Sequence, residues 1–341
     1  MRRRADWLEE VLKNTGIRVG RWHVQDAWNI EHIRDRVFDL LAERENDAIA
    51  LNATGGTKPM SIAAYEVFRS MEKPIFYVHP EQDRLIWLHP RELPALDLAD
   101  RVKLPAFLQA HGAAVIGQGS VLGVKEHLRT VTEGLIRHVD RYAQPMRTLN
   151  WAANLAEQNK SLKSPVIPRA QQTEGFQNLI GWFETANLLH RDGEQILFAD
   201  EEARFFANGG WLETHVYAQC LALKKMGVQD VGRSLLVERQ GKSGPVRNEL
   251  DVAFLYQNRL YVIECKTKHY DRHGNDPGGA DTLYKLDTLR DVLGGLQARA
   301  MLVSYHSLND ADCRRADDLR IRLCVGSQLQ QLGTELQQWI Q

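Results

Sequence analysis

The chain is poor in cysteine. Cys220, Cys265, Cys313 and Cys324 show no CxxC spacing, and each lies in an apolar or helical context. That pattern reads as buried thiols and excludes a zinc site. No apolar run reaches the roughly 20 residues a bilayer span requires. The start Met1-Arg-Arg-Arg4 leads into amphipathic sequence rather than a signal-peptide core, so a cytoplasmic protein with no membrane association is expected. Neither sign of charge is in excess, the formal net charge being -1, so any binding of nucleic acid has to come from a local basic groove. The 12 histidines include no HExxH pair, and no acidic ribose partner follows Gly117-Gln-Gly119-Ser-Val-Leu-Gly123, which misses the dinucleotide spacing by one residue. Histidine metalloprotease and nicotinamide chemistry are thereby set aside. Internal repeats and low-complexity tracts are also lacking.

What is present is an ordinary globular composition, 43% hydrophobic and 26% charged, spread over 341 residues, more than one core usually organises. Residues 1–95 are expected to be an α/β domain. Helical patterns at Ala5–Lys13, Ile30–Glu43 and Pro59–Met71 alternate with strand-like Ile17–Val24, Asp47–Asn52, Pro74–Val78 and Arg84–Leu88, the signal of a parallel sheet. The chain opens on a helix where a doubly wound unit opens on a strand, so the first strand is expected to be missing or replaced. Residues 96–205 read as a connector: helices over 106–150, a polar Pro-bearing link at Asn159–Pro168, then a helix at Gln171–Phe183 and a hairpin turning at Asp192-Gly193, winged-helix-like in order. Residues 206–341 read as a second α/β domain. It would contain a helix at Trp211–Lys225, strands at Ser234–Arg239, Glu249–Tyr256 and Arg259–Lys266, a helix at Leu283–Leu293 and a strand at Ala300–Ser304.

The run from Asn248 to Lys266 carries the chemistry. With Gln257-Asn258 as a two-residue loop, Tyr256 faces Arg259, which sets Asp251 opposite Glu264 and Glu249 opposite Lys266, all on one face. Apolar residues on both faces of the strands imply burial within a sheet. Two desolvated carboxylates facing each other require a cation or a shared proton, and oxygen donors suit Mg²⁺ or Mn²⁺. Lys266 would orient or deprotonate an attacking water or neutralise charge on phosphorus. Phosphodiester hydrolysis is the reaction this set fits.

The pattern resembles the PD-(D/E)XK nucleases, Asp251 matching the first acidic residue and Glu264-Cys265-Lys266 the second half. That resemblance implies a further carboxylate on the preceding helix, for which Glu213 in Gly210-Trp-Leu-Glu213 is the candidate, as a metal ligand or water contact. Lys242, Arg247, Lys268 and His269 lie nearby in sequence as possible phosphate contacts.

A second segment, Leu51-Asn-Ala-Thr-Gly-Gly-Thr-Lys-Pro-Met60, falls between a strand and a helix. Gly55 and Gly56 allow backbone amides close to a ligand, Thr54 and Thr57 add hydroxyls, and Lys58 opposes the helix dipole unless an anion sits beside it. Its spacing is not that of a Walker loop. The segment resembles the Asn-x-Thr-Gly-Gly-Thr-Lys signature of CARF domains, the Rossmann-like sensors of type III CRISPR systems. Joined to a PD-(D/E)XK motif, it is similar to the CARF nucleases of antiviral defence, whose sensors form a homodimer around a cyclic oligoadenylate, most often cyclic tetra-adenylate. The resemblance implies that Asn52, Thr54, Gly55, Gly56, Thr57 and Lys58 contact that ligand. It also implies that the nuclease domains cut single-stranded DNA or RNA, or nick supercoiled DNA, with Mn²⁺ or Mg²⁺. Trp7 and Gln25–Trp28 are candidates to line the rest of the pocket. Two other readings stay open: a CARF-type regulator that binds nucleic acid without cutting, favoured by the winged-helix-like segment, and a defence or repair nuclease needing no messenger, favoured by the incomplete first domain.

Overall fold

The structure, a computed structural model, describes residues 2–119, 126–241, 243–267 and 278–341. The chain divides into two compact units, one of Leu8–Arg101 and one of Met1–Trp7 with Val102–Gln341.

In the smaller unit, strands β1 (Leu51–Asn52), β2 (Ile75–His79), β3 (Arg84–His89) and β4 (Leu96–Asp97) form a sheet in that order. Leu41 of helix Ile30–Glu43 and Val67 and Phe68 of helix Lys58–Ser70 pack with Ile75 into its core. Only β1 and β2 are parallel; the other two pairs are antiparallel, which corrects the all-parallel expectation. The connection between β2 and β3 is a tight turn with Asp83 at φ 50°, far too short for the crossover a parallel pair needs. The expected strand at Ile17–Val24 is not formed. Its alternation is real, but side chains fix it instead of a ladder: Trp22 Nε1 donates to the Arg36 carbonyl at 2.8 Å, Arg36 lies 4.7 Å over the Trp22 ring, and Arg21 Nε donates to Glu9 at 2.7 Å.

The larger unit is built on a six-stranded mixed sheet. In chain order the strands are β5 (Ala113–Gly117), the separate hairpin β6 (Leu189–Asp192) and β7 (Gln195–Phe198), then β8 (Asp230–Gln240), β9 (Pro245–Tyr256), β10 (Arg259–Lys266), β11 (Arg299–Ser304) and β12 (Ile321–Val325). The sheet order is β12-β11-β10-β9-β8-β5. β10, β11 and β12 run parallel, linked by helices Gly279–Gly294 and Asp310–Asp318, whereas β5, β8, β9 and β10 pair antiparallel. β5 was hidden within the segment read as helical; its Ala-Ala-Val-Ile-Gly run is too short to show a period, and pairing with β8 decides its state.

Both sheet faces are covered. Val252, Phe254, Tyr261, Ile263 and Val303 pack against Trp211 and Val216 of helix Trp211–Ala222, while Ala253, Leu255, Leu260, Val262 and Leu302 pack against Leu283, Leu286 and Leu289 of helix Gly279–Gly294. This explains why the strands read as continuous apolar runs. The β9–β10 turn is the expected Gln257-Asn258, with φ of 47° and 52° at its two residues, as a type I′ turn demands. Phe254 is fully buried, stacked 4.6 Å from Tyr261 and edge-on to Trp339 at 5.9 Å. Phe254→Ala is expected to lower the stability of this unit by about 3–5 kcal/mol, read as an earlier urea transition of tryptophan fluorescence with the smaller unit's transition unchanged.

Candidate active site

The hairpin register predicted from sequence holds from Arg259↔Tyr256 to Ile263↔Val252 and stops there. At the next step Asp251 Oδ2 accepts the Cys265 backbone N–H at 2.7 Å, so a carboxylate replaces the carbonyl that a ladder would supply. β9 changes face at this point: Val252 and Phe254 belong to one core, Leu250 to the other. β8 does the same around Ser234, whose φ is 45°, between Val231 on one side and Leu235 and Val237 on the other. The pairing of Glu249 with Lys266 is therefore corrected, since the β9–β10 ladder ends at Ile263↔Val252 and Glu249 keeps a partner, Leu236, only on the β8 side. The twist opens the end of the sheet and turns side chains from both layers into one place.

Four predicted residues meet there. Glu264 is 3% exposed, and Lys266 Nζ lies 2.7 Å from its Oε1. Glu213 occupies the first turn of helix Trp211–Ala222 and accepts from Ser234 Oγ at 3.4 Å. Burial first, then the charge of Glu249, pushes the Glu213 carboxyl up to about 7 against the opposing pull of Arg233 and Lys266. Burial also holds the Asp251 carboxyl well above the usual carboxylate range, reinforced by Glu264 and Glu213 and opposed by Lys266 and the Cys265 N–H. The approach of Glu213 depends on Gly209, at φ 112° in the turn before the helix, where a Cβ would stand 2.1 Å from Thr267 Oγ1. Only glycine allows that segment to pass so close to the end of β10.

Several contributors gave no sequence signal. Asn150 Nδ2 and His306 Nε2 each lie 3.1 Å from the carbonyl of Thr267, directly after Lys266. Lys285, on helix Gly279–Gly294, stands 3.7 Å from Glu264 Oε1. These residues are far from the hairpin in sequence, and only the packing of the sheet brings them in. Arg247 is paired with Glu238 at 2.8 Å, while Lys242, Lys268 and His269 lie outside the described residues.

The donor set fits a hard divalent cation. Carboxylates that are desolvated and repel one another recover charge balance from such an ion. Among the described residues they do not form a ready-made ligand cage; Glu264 is paired with the Lys266 ammonium.

In the smaller unit the glycine loop is ordered by its own polar groups. Asn52 Oδ1 accepts from the Thr54 N–H at 3.0 Å, Thr54 Oγ1 from the Val78 N–H at 2.7 Å, and Ser61 Oγ donates to the Gly55 carbonyl at 2.8 Å. Thr57 caps helix Lys58–Ser70 and donates to the Ala27 carbonyl at 2.9 Å, bringing the predicted segment Gln25–Trp28 beside the loop. Gly56 has φ 87°. Lys58 is exposed and, among the described residues, ion-pairs with no acid. Trp7, the other pocket candidate, instead lies against Gly112, where a Cβ would meet its ring at 2.4 Å.

The smaller unit falls within a CARF domain and the larger contains an endonuclease domain. The family described as Card1 CARF domain matches residues 1–104, and that described as Card1-like, endonuclease domain, matches residues 200–341. The chain belongs to the CARF-domain endonucleases of type III CRISPR systems. It is 32% identical to protein VC1899 from Vibrio cholerae over 99% of this chain and 88% of that one, with a TM-score of 0.88. Can2 from Sulfobacillus thermosulfidooxidans, solved with cyclic tetra-adenylate, is 26% identical over 100% of this chain and 90% of its own, with a TM-score of 0.81. A type III CRISPR defence DNA nuclease activated by cyclic oligoadenylate, 17% identical, shares the fold over 88% of this chain and 39% of its own, with a TM-score of 0.54. No curated protein sequence matches the chain.

Raised carboxyl pKa values set the sign of a pH effect. The folded state holds these protons more tightly than the unfolded state, so the Glu213 contribution is fully present below its ordinary value of 4.5 and is lost as pH rises through about 7. Metal-free protein is therefore expected to melt at a lower temperature at about pH 8 than at about pH 5, and Glu213→Gln should flatten the difference. Asp251→Asn keeps an acceptor for the Cys265 N–H while removing a buried charge. It should raise the melting temperature of the metal-free protein at about pH 8, where ionising the buried carboxyl is unfavourable, and abolish the rise in melting temperature on adding Mn²⁺.

Proposed function

We propose that the protein is a homodimeric, cytoplasmic nuclease that uses Mn²⁺ or Mg²⁺ to hydrolyse phosphodiesters once cyclic tetra-adenylate occupies its CARF domain. The observation that carries the catalytic part is the pairing of buried Glu264 with Lys266 beside Asp251, whose orientation is fixed by the Cys265 N–H. Asp251, Glu264 and Glu213 are the residues to hold the metal. Bound there, the ion would polarise the phosphodiester and promote ionisation of the attacking water.

The chain's own groups do the rest. Asp251 cannot swing away, because its oxygen completes the hydrogen bonding of β10. Lys266 orients the water or neutralises negative charge developing on phosphorus, acting from a largely desolvated position where that interaction is strong. Thr267, anchored by Asn150 and His306, keeps the end of β10 in register with both. The substrates are single-stranded DNA, single-stranded RNA or supercoiled DNA, since the chemistry acts on the phosphodiester they share.

For the sensor, the support is the likeness to Can2 in its complex with cyclic tetra-adenylate, joined to a loop that leaves Lys58 exposed at a helix start beside Gly55 and Gly56. Asn52, Thr54 and Thr57 keep that loop in shape, and its amides with Lys58 take the ligand's phosphates.

Labelled single-stranded DNA, single-stranded RNA and supercoiled plasmid incubated with Mn²⁺ are expected to be cut only when cyclic tetra-adenylate is added, and not at all by Glu264→Ala. Lys58→Ala should raise the activator concentration for half-maximal cutting by about 10- to 100-fold, the loss of one charge-assisted contact. Cutting without activator would remove the sensor from this account. No cutting across metals and cyclic oligoadenylates would remove the catalytic reading and leave a protein that binds nucleic acid.

A further inference from the structure

Two ammonium groups approach a single oxygen of Glu264, and they do so differently. Lys266 lies 2.7 Å away on the same strand, with 30% of its side chain exposed. Lys285 lies 3.7 Å away with 54% exposed, against 4% for the Glu264 side chain. It comes from helix Gly279–Gly294, which is fixed to the sheet by Leu283, Leu286 and Leu289. Its ammonium therefore sits at the mouth of the site, on the solvent side of a carboxylate that is otherwise enclosed. A half-hydrated contact at that distance contributes at most about 1 kcal/mol to the fold, so stability does not account for a second cation there.

We propose that Lys285 is a substrate-binding residue that takes a phosphate oxygen of the nucleic-acid strand as it enters the site. This rests on the nuclease reading given above. A divalent cation held by Glu264 satisfies that carboxylate and repels the ammonium beside it, leaving Lys285 in need of an anion. The incoming strand supplies one. Lys285 and Glu213 come from helices on opposite sheet faces, so the Lys285 charge is offered to a strand on the side of helix Gly279–Gly294. Lys285 is then distinct in role from Lys266: one holds the strand, the other acts at the reacting phosphate.

The test reads binding, not turnover. Fluorescence anisotropy of short single-stranded DNA and RNA oligonucleotides is measured with Ca²⁺ in place of Mn²⁺ and with cyclic tetra-adenylate present, between about 50 and 200 mM salt. Lys285→Ala is expected to bind both strands more weakly and to make the slope of log affinity against log salt shallower by about 0.7, one phosphate contact on a single strand. Across that salt range, wild type should lose about 2.6-fold more affinity than the variant. Lys285→Arg should restore the wild-type slope, and thermal melting of both variants should match wild type. If Lys285→Ala binds with the wild-type slope while its cutting rate falls, the residue only neutralises Glu264 and the proposal is overturned. Wild-type protein that binds neither oligonucleotide overturns this proposal, and overturns the nuclease reading with it only if supercoiled plasmid also stays uncut with Mn²⁺ and cyclic tetra-adenylate.

Discussion

The structure of the nuclease unit depends on acidic groups being kept together where water cannot separate them. Asp251 and Glu264 are brought side by side by a hairpin whose register is fixed over five pairs and whose tight turn leaves no freedom to slip. Burial then raises the free energy of the charged state, most clearly for Asp251 and Glu213. A protein selected for stability alone would fill this position with apolar residues. Here the strain is contained by a small number of compensating contacts: the Cys265 N–H on Asp251, and Lys266 and Lys285 on Glu264.

The surrounding fold serves that arrangement. Apolar layers on both sheet faces make the strands stiff, and β8 and β9 change face at Ser234 and Asp251, which opens the sheet end and admits Glu213 from the covering helix. Gly209 lets that helix begin in contact with Thr267, whose carbonyl is also met by Asn150 and His306. Carboxylates from two strands and a helix are in this way tied to one short length of β10. The smaller unit follows a looser plan: its glycine loop is shaped by Asn52, Thr54, Thr57 and Ser61 and leaves Lys58 exposed at the start of a helix.

How much of this the sequence disclosed follows from how local each feature is. The β9–β10 turn and register were legible because Gln257-Asn258 lies between two apolar strands and a period of two admits one alignment. The expected pair of Asp251 with Glu264 lies one step past the end of that ladder, where Asp251 instead accepts from the Cys265 N–H and still feels the Glu264 charge. The pairing of Glu249 with Lys266 is not formed, because the strand turns its faces at Asp251 and no periodicity encodes such a twist. β5, five residues long, was lost within helical sequence since its strand state comes from β8, more than a hundred residues away. Lys285, Asn150 and His306 were invisible for the same reason, each lying on an element that only tertiary packing delivers to the site. In the smaller unit, Ile17–Val24 carried a strand's alternation but found no partner, and Trp22 and Arg21 hold it by side chain.

The central claim is that the buried carboxylates are a place for one divalent cation. Diffraction from crystals soaked in Mn²⁺, collected for the anomalous signal of manganese, tests it most directly. The account predicts an anomalous peak bounded by Asp251, Glu264 and Glu213, with the Lys266 ammonium withdrawn from Glu264 Oε1. A map with no peak among these three residues at saturating Mn²⁺, with Lys266 still seated on Glu264, would contradict it.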